Sequence, residues 1–521
     1  MSYLARGPVR SGGIDSNAIA AGRRHLSAIC RACSPEASHM RRLALICTAL
    51  LAGCSLAPTL EQPEVDVPAR YKALGPDEPH GEWKVAEPAD GSPRGEWWKV
   101  FRDPQLDALE AEAMAANQTL KIAAARLAQS RAVVGVVNAE RFPRVDAGFG
   151  PSRIKPSGVS LGLPPGIDVA PYTVWRGQLT ASWEADLFGR ISDSVAAARS
   201  DADAVAALYG ATMLAVQADV AQAYFAIRQA DDELAVLRET VASRTETQQL
   251  LQRRFDAGDI SELDLAQAKT EVGLAQTQVF GVERQRAQLE NGLAVLLGKA
   301  PASFSLAPAS LPTALPAIPP GLPSALLERR PDVAAASRTM AASNARIGVA
   351  KAAFFPVLRI TGLAGYESAD LSELFQWSSR VWALGPLFGT VLTMPIFDGG
   401  RNQANLDRSY AVLEESVGAY RQTVLGAFAE VEDNLVALRT LAGQAGATGE
   451  SLQSAQRALQ VSEVRYHAGA TSYLQVVDAQ RTLLVVQRLD AQFRGARAAS
   501  TVALIRALGG GWDPAADVTG K

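Results

Sequence analysis

Apolar and polar residues alternate with a period of two in four short stretches of the chain. The clearest covers residues 178–187, and a shorter one covers residues 145–150, with a loop rich in glycine and proline between them. Two further stretches lie in the second half, at residues 358–366 and, less regularly, at residues 388–396. Such alternation describes strands that are apolar on one face and polar on the other. The pattern therefore predicts two β-hairpins.

Long helices are predicted by the placement of proline. Residues 172–300 and 396–513 contain none, although the chain has 28 prolines. Because proline breaks a helix interior, these gaps predict long uninterrupted helices. Apolar and small residues recur at alternating steps of three and four over residues 198–237, which is typical of a coiled-coil-like seam. A first helix over residues 192–257 would be about 100 Å long, so it must project as one arm of a helical hairpin.

The sequence also repeats itself. FDAGDISELDLAQAK, residues 255–269, returns as YHAGATSYLQVVDAQ, residues 466–480, at a repeat interval of 211. Further upstream, Phe142-Pro143 returns as Phe355-Pro356 at an interval of 213. Solenoid repeats have periods of about 20 to 50 residues, so this interval indicates two copies of a whole structural unit.

Each copy interrupts its helical region at an alanine-glycine pair. The pairs are Ala257-Gly258 and Ala468-Gly469. Glycine suits the left-handed conformation that commonly ends a helix. We therefore expect the hairpin tips at GDISELD, residues 258–264, and GATSYLQ, residues 469–475.

Composition excludes several classes of function. The formal net charge of the 521 residues is −3 and both signs are interspersed, so no basic stripe indicates nucleic acid. No disulfide framework is available to the body, because the four cysteines all lie in the first tenth of the chain: Cys30, Cys33, Cys47 and Cys54. The histidines show no metal-ligand spacing, and no nucleophile elbow or phosphate-binding loop is present. We expect no enzyme, no cofactor and no metal.

The N-terminal region resembles a lipoprotein signal. Met40-Arg41-Arg42 precedes eleven largely apolar or small residues, 43–53, which are too few to span a bilayer. The LAGC ending resembles the lipobox of bacterial lipoproteins, which implies acylation of Cys54. Ser55 is not the aspartate that retains many lipoproteins in the inner membrane, so the resemblance points to the outer membrane. The alternative is an ordinary signal with an incidental cysteine.

These features divide the chain into seven segments. Residues 1–39 are interpreted as a non-native or disordered extension before a true start at Met40, which mapping of the initiating residue would test. The signal at 40–53 precedes a linker at 54–95. The first repeat covers 96–300, a proline-rich connector 301–323 and the second repeat 324–513, with a tail at 514–521.

Four strands are too few to close a barrel. A transmembrane sheet cannot leave polar edges in lipid, so strands that span a bilayer must be paired by other copies of the chain. Spanning strands need about 9 to 11 residues, which fits the alternating stretches. Four tryptophans are candidates for the aromatic girdles at the membrane interfaces: Trp175, Trp183, Trp377 and Trp382. The alternative is a soluble sandwich with one half-buried face.

Five ordered motifs carry a family resemblance. They are LAGC, EWWKVFRDPQLDALEAEAMAANQTL at 96–120, ERRPDV at 328–333, FDGGR at 397–401 and ALGGGW at 507–512. Together with the duplication they resemble the TolC-like outer-membrane efflux factors, and their lipoprotein branch, of which OprM and NodT are examples, most of all. The resemblance covers essentially everything after Met40.

The resemblance implies a mainly α fold with a small β part. Each chain of a homotrimer would give four strands to one twelve-stranded transmembrane β-barrel, and its long helical hairpins would form a periplasmic α-barrel. The implied location is the outer membrane of a Gram-negative bacterium, where the protein is lipid-anchored. The hairpin tips would meet a periplasmic adaptor attached to an inner-membrane pump, and the chain itself would be a passive conduit.

The resemblance also implies a gate where the tips converge, with acidic residues around the closed aperture. The first-copy candidates are Asp259, Glu262 and Asp264. In the second copy Thr471, next to Ser472, stands where OprM-like proteins commonly carry aspartate. Arg254 and Arg465 are candidates for interhelical links or adaptor contacts. The alternative for each is a solvated turn or helix cap, and Asp264 fits an early-helix acid that complements the helix dipole.

Two other functions remain open at this stage. The chain could be the channel of a type I protein secretion system instead of a small-molecule efflux channel. It could also be a periplasmic coiled-coil structural protein, although that leaves the alternating stretches unexplained.

Overall fold

The computed structural model describes residues 55–65, 71–73, 95–312, 315–316, 318, 329–385 and 392–510. The interpreted extension, the signal, Cys54 and the tail at 514–521 lie outside the described residues. In chain order the α-helices of the described part are α1 Pro104–Ala116, α2 Gln118–Ala139, α3 Arg190–Asp256, α4 Glu262–Leu296, α5 Pro331–Ala352, α6 Arg401–His467 and α7 Tyr473–Ala507. The strands are β1 Arg144–Ile154, β2 Tyr172–Ala185, β3 Val357–Ser368, β4 Arg380–Leu384 and β5 Leu392–Thr393.

The duplication is visible in the helix lengths. The helices α3 and α6 have 67 residues each, and α4 and α7 have 35 each. At 1.5 Å per residue the longer pair measure about 100 Å. The expected interruptions are in place, since Gly258 has φ 81° and Gly469 has φ 68° just after the ends of α3 and α6. Each copy therefore forms one long helical hairpin.

Helix α3 is the centre of the helical body. It packs against α2 and α4 of its own copy and against α5 and α7 of the second copy, whereas α6 packs extensively against α5 and α7. The predicted seam along α3 is buried at positions such as Ile227, Leu234 and Leu237. Apolar burial along this seam, supported by close approach at its alanines, holds the two hairpins side by side.

The strands form one antiparallel sheet in the order β1-β2-β3-β4, with β5 also paired to β3. The two predicted hairpins are present, but β1 and β2 are longer than the alternating stretches that indicated them. Of the predicted fourth strand at 388–396, residues 388–391 lie outside the described residues, Leu392–Thr393 is strand, and the prediction was wrong for 394–396, which are not strand. A strand that was not predicted, β4, begins at Arg380. The sequence RVWAL hides this start because apolar residues lie on both of its faces.

Two segments outside the repeats are tied to the long helices in corresponding ways. Arg228 of α3 donates from Nη1 to the Ala307 carbonyl oxygen at 2.8 Å, which fixes the connector. Arg439 of α6 occupies the equivalent position of the second repeat and donates to the Ala73 carbonyl oxygen at 3.3 Å. Glu432 accepts the N–H of Ala73 at 2.9 Å. The connector at Ala307 therefore contacts the first repeat, and the linker at Ala73 contacts the second.

Glu110 of α1 is fully buried, and neither of its carboxyl oxygens has a hydrogen-bond partner in the described part of the chain. Burial raises the pKa of this carboxyl group from 4.5 to about 9, and the charge of Asp107 adds to the rise. The folded chain therefore keeps a proton that the unfolded chain releases. Consequently, this group makes the protein less stable as pH increases from about 4.5 towards 9.

Replacing Glu110 by leucine is expected to increase the free energy of unfolding by about 2 kcal/mol at pH 7, because an unsatisfied buried carboxyl is replaced by an apolar group of similar size. The gain should be small near pH 5 and larger at pH 8. Denaturant unfolding at the three pH values measures it. Glu112→Leu, at a partly exposed position, is the control, and a gain independent of pH would contradict the assignment.

Candidate functional site

The first hairpin tip is a short turn with a capped second helix. Ser261 is the N-cap of α4, and its hydroxyl accepts the N–H of Asp264 at 3.4 Å. The same hydroxyl donates to Asp264 Oδ2 at 2.9 Å. Asp264 is therefore occupied in the helix cap and lies in the first turn of α4, where a negative charge complements the helix dipole.

The two tips of one chain pack against each other. Leu251 and Leu265 of the first hairpin are buried in one cluster with Tyr473, Val476 and Val477 of the second. This apolar cluster lies at the end of the helical body where the two tips meet. Burial raises the pKa of the Tyr473 hydroxyl to about 12, so this residue remains neutral in the cluster.

One polar contact crosses between the tips near this cluster. Arg254 Nη1 donates to the hydroxyl oxygen of Tyr466 at 3.3 Å. Arg465 is the equivalent of Arg254 in the second repeat and is exposed, without a side-chain partner in the described part of the chain. The two arginines that the sequence treats as equivalent thus have different environments within one chain.

The other tip candidates are exposed or half-buried in the single chain. Asp259 and Glu262 are exposed and have no side-chain partner in the described ranges. In the second tip the Thr471 hydroxyl contacts the side chain of Gln475, and Ser472 is the N-cap of α7 without a side-chain cap bond. The acidic charge of the tip turns is therefore carried by the first copy.

A buried ionic contact above the tips was missed by the sequence reasoning. Glu271 of α4 is 2% exposed, and its Oε2 lies 2.8 Å from Arg244 Nη1 of α3. Its Oε1 accepts from Arg481 Nε of α7 at 2.9 Å. One carboxylate therefore joins three helices from both copies, and we call these three residues the Glu271 triad.

Two further ion pairs continue this line along α7. Glu233 pairs with Arg488 at 3.3 Å, and Asp232 pairs with Arg494 at 3.1 Å. In each case the first copy supplies the acid and α7 supplies the arginine. The sequence does place Arg481 and Arg488 one heptad apart, on the same face of α7. That spacing could not identify their partners, because the partners lie in other helices. Ion pairs therefore join the two hairpins of one chain at three levels along α7.

The sheet has one apolar and one polar face. Register places Ala147, Leu179, Ala364 and Trp382 in one cross-strand row of the apolar face. The opposite face carries an ion pair between Arg176 and Glu367 at 2.9 Å. Exposed apolar side chains on one side and polar ones on the other are the arrangement of a barrel wall between lipid and an aqueous interior.

The tryptophan candidates occupy three kinds of position. Trp175 and Trp183 share the apolar face of β2 and are eight residues apart, which corresponds to about 26 Å. Trp382 is in register between them, opposite Ala364. Trp377 lies in a short 3₁₀-helix, Trp377–Ser379, between β3 and β4. The first two therefore lie towards opposite ends of β2 on one face.

The sequence model of a protein family described as "Outer membrane efflux protein" matches the chain twice, at residues 109–299 and 322–510. The starts of the two matches differ by the upstream interval of the sequence repeat, and their ends differ by its downstream interval. The chain belongs to this family. The duplication is thus a duplication of the outer membrane efflux protein domain.

Curated members of the outer membrane efflux protein family are similar over nearly the whole chain. The chain is 35% identical over 474 residues to the outer membrane protein OprJ of Pseudomonas aeruginosa, which covers 90% of this chain and 95% of the relative. It is 33% identical over 475 residues to the cation efflux system protein CusC of Escherichia coli, with coverages of 90% and 99%.

Solved structures of outer membrane efflux proteins share the fold. The Campylobacter jejuni CmeC outer membrane channel is similar at a TM-score of 0.80 and 26% identity, covering 89% of this chain and 98% of that one. A CusC crystal structure is similar at a TM-score of 0.75 and 30% identity, with coverages of 88% and 100%. The sheet and the long hairpins therefore form the architecture of an efflux channel.

Proposed function

We propose that this protein is the outer-membrane channel of a tripartite efflux system and exports small molecules such as drugs and toxic organic compounds. An inner-membrane pump would supply the energy, and a periplasmic adaptor would join the pump to the hairpin tips. The observation that carries the proposal is the duplicated family domain, in which each copy joins at least one strand of membrane-spanning length to a helical hairpin about 100 Å long.

Cargo choice is assigned to the pump. A wide polar conduit has weak chemical selectivity, so the channel itself would pass many compounds. The names of relatives support this view: at 33% and 34% identity to this chain, one is described as a cation efflux protein and another, from Pseudomonas putida, as a toluene efflux pump protein. Similar channels thus accompany pumps for unlike cargoes.

A homotrimer is supported first by the sheet. Strand β1 lies at one edge, and β4 with β5 lies along the other. The unpaired backbone groups of such edges are costly in lipid, so neighbouring copies must pair with them. Three copies would contribute their strands to one closed barrel.

The difference between the two long helices supports assembly independently. The helices α3 and α6 are equally long and belong to equivalent positions of the repeat, yet far more of the side chains of α3 are buried than of α6. Leu214 of α3 is 5% exposed, whereas Leu425, its equivalent on α6, is 54% exposed. On α3, helices α5 and α7 of the other repeat cover a face that is left open at the equivalent place on α6. In a trimer, helices of a neighbouring chain would cover that face of α6.

The membrane attachment combines the barrel with a lipid anchor. We assign Cys54 as the acylated residue and place the protein in the outer membrane of a Gram-negative bacterium. A single acylated terminus gives limited membrane binding, and the barrel supplies the second element. Trp175 and Trp183 would mark the two interfaces.

The gate is assigned to the tips. Asp259 and Glu262 of each chain would form acidic rings that favour cations, and Arg254, Arg465, Thr471 and Ser472 would contact the neighbouring hairpin or the adaptor. Opening would separate hairpins that local polar contacts hold together.

Neutralising the acidic tip in Asp259→Asn/Glu262→Gln is expected to lower the cation-over-anion permeability ratio by at least about twofold, because the fixed charges recur around one aperture. Ion permeability of the purified channel in planar bilayers measures the ratio. Glu283→Gln, at a partly exposed acid higher on α4, is the control and should leave the ratio unchanged. An unchanged ratio in the tip variant would place the selectivity elsewhere.

The experiment for the function itself is deletion and complementation. A deletion strain should become more susceptible to small toxic compounds and recover when the chain is restored, while its profile of secreted proteins stays unchanged. Loss of a secreted protein with unchanged susceptibility would favour the type I secretion alternative. A water-soluble monomer in the periplasm would favour the coiled-coil structural alternative and remove the channel hypothesis.

A further inference from the structure

A cavity of about 150 Å³ lies at the joint between the two hairpins of one chain. It is lined by α3 of the first hairpin and by α6 and α7 of the second. On α7 the lining residues run from Gln480 to Gln487, beside Arg481 and Arg488, which pair with acids of the first copy. The cavity therefore lies in the stretch of the joint between two ion-paired levels.

The lining combines apolar side chains with a few polar ones, which is the usual composition of a small-molecule site. A cavity of this volume is large enough for one benzene ring. Two lining residues, Glu239 and Ser243, are exposed, so a small molecule can enter from solvent. The apolar part of the lining includes three leucines from the second hairpin: Leu459, Leu483 and Leu484.

Arg244 of α3 lines the cavity and has a hydrogen-bond donor that the Glu271 triad does not use. The residue is 5% exposed, and its Nη1 lies 2.8 Å from Glu271 Oε2 and donates to the Glu271 carbonyl oxygen at 3.0 Å. Its Nε is buried without a hydrogen-bond partner in the described part of the chain. Because the guanidinium is planar, the Nε–H points to the other side from Nη1. The triad therefore leaves one buried donor of Arg244 available.

Gln480 of α7 lines the same cavity and supplies the complementary group. Its Oε1 is buried and has no hydrogen-bond partner among the described residues. Buried polar side-chain atoms nearly always have a partner, so an open donor and an open acceptor in one cavity indicate a polar ligand. A hydroxyl group is the simplest group that satisfies both, because it accepts one hydrogen bond while it donates another.

We propose that this cavity is a binding site for a small aromatic alcohol of the size of phenol. The hydroxyl oxygen accepts from Arg244 Nε and the hydroxyl donates to Gln480 Oε1, while the ring packs against the three leucines. A benzoate fits less well, because it has no donor for Gln480 and Glu271 already balances the charge of Arg244. Toluene fits the leucines but leaves both polar atoms unsatisfied. The site is independent of the proposed export function.

The duplication limits the site to one per chain. In the other repeat, Ala455 is the equivalent of Arg244 and Lys269 is the equivalent of Gln480. Leu459 is replaced at the equivalent position by Gln248. These residues supply neither the pairing of donor and acceptor nor the apolar contact. The expected stoichiometry is therefore one phenol per chain.

Fluorine NMR of para-fluorophenol, titrated with the detergent-purified full chain and compared with micelles alone, tests the site. We expect saturable binding that unlabelled phenol displaces, and binding at least about fivefold weaker for para-fluorotoluene and para-fluorobenzoate. Gln480→Met removes the acceptor and keeps a side chain of similar size. This variant should weaken para-fluorophenol at least about fivefold and leave para-fluorotoluene unchanged, because only the phenol loses a hydrogen bond.

A second variant fills the cavity, and two others serve as matched controls. Leu459→Trp should abolish saturable binding of both probes. Gln456→Met and Leu489→Trp make the same kinds of change at exposed positions outside the lining and should leave binding unchanged. The absence of saturable binding to the parent chain would show that water alone occupies the cavity and would overturn the site. Equal affinities of para-fluorophenol for the parent and Gln480→Met would overturn the assignment of the hydroxyl.

Discussion

Replacing Glu271 by alanine is expected to lower the free energy of unfolding by about 3–5 kcal/mol, because removing one member of a buried pair leaves a charge that has lost both water and its counter-charge. Arg244 is 5% exposed and would remain as a buried guanidinium without its ionic partner. Denaturant unfolding of the detergent-purified protein, followed by far-ultraviolet circular dichroism, measures the loss.

The exposed member of the Glu271 triad provides the matched control. Arg481 contacts the same carboxylate, but about half of its side chain is exposed. Arg481→Ala should therefore cost no more than about 1 kcal/mol. Similar losses in both variants would show that burial of Arg244 is not the cause.

A second variant separates uncompensated charge from lost packing. Replacing both buried partners in Arg244→Met/Glu271→Leu should recover most of the lost stability, because apolar groups of similar volume often replace a buried ion pair at little cost. If the double variant is as unstable as Glu271→Ala, the loss comes from packing and the explanation by charge is wrong.

The Glu271 triad has no counterpart elsewhere in the repeat. It joins α3 and α4 of the first copy to α7 of the second, so both hairpins of one chain are held as a unit. The equivalent positions in the other copy are Thr270, Ala455 and Thr482, which carry no charge. The equivalent positions therefore cannot form a matching ion-paired joint.

The long helices could be predicted because their signal is local and repeated. Proline is absent over each helical region, and glycine stands at both interruptions, so the ends of α3 and α6 were located closely. The repeat strengthened the prediction, since Gly258 and Gly469 report the same turn twice. Such features can be predicted without knowledge of the fold, because they depend only on residues that are close in sequence and because they occur twice.

The Glu271 triad and the hydrogen bond between Ser55 and Asp193 could not be predicted in this way. Glu271 is 27 residues from Arg244 and 210 from Arg481, and Ser55 is 138 from Asp193. Each residue alone resembles an ordinary helix-surface charge or linker residue. Their pairing depends on which helices the fold brings together, and that information is absent from local spacing. The start of β4 was missed for a simpler reason, because RVWAL carries apolar residues on both faces.

Leu179→Arg is expected to prevent stable insertion of the sheet into the outer membrane. Leu179 lies in the middle of β2 on the apolar face, in register with Ala147 and Ala364, and is 55% exposed in the single chain. An arginine facing the bilayer midplane of a β-barrel costs about 2–4 kcal/mol, and a trimer would bear this cost three times. The amount of protein in the outer-membrane fraction, and its resistance to heat as an oligomer, measure the effect.

Thr180→Arg is the decisive comparison, because the adjacent side chain points to the opposite face of the same strand. Thr180 is in register with Asp146, whose charge an arginine would meet, and the polar face would border water inside a barrel. This variant should assemble normally and shift the ion selectivity towards anions. In a soluble sandwich the outcome would differ: neither face would meet lipid, and Leu179→Arg would leave the protein soluble. Equal tolerance of both arginines would therefore remove the membrane assignment of the sheet, whereas loss of the Leu179 variant alone would place lipid on that face.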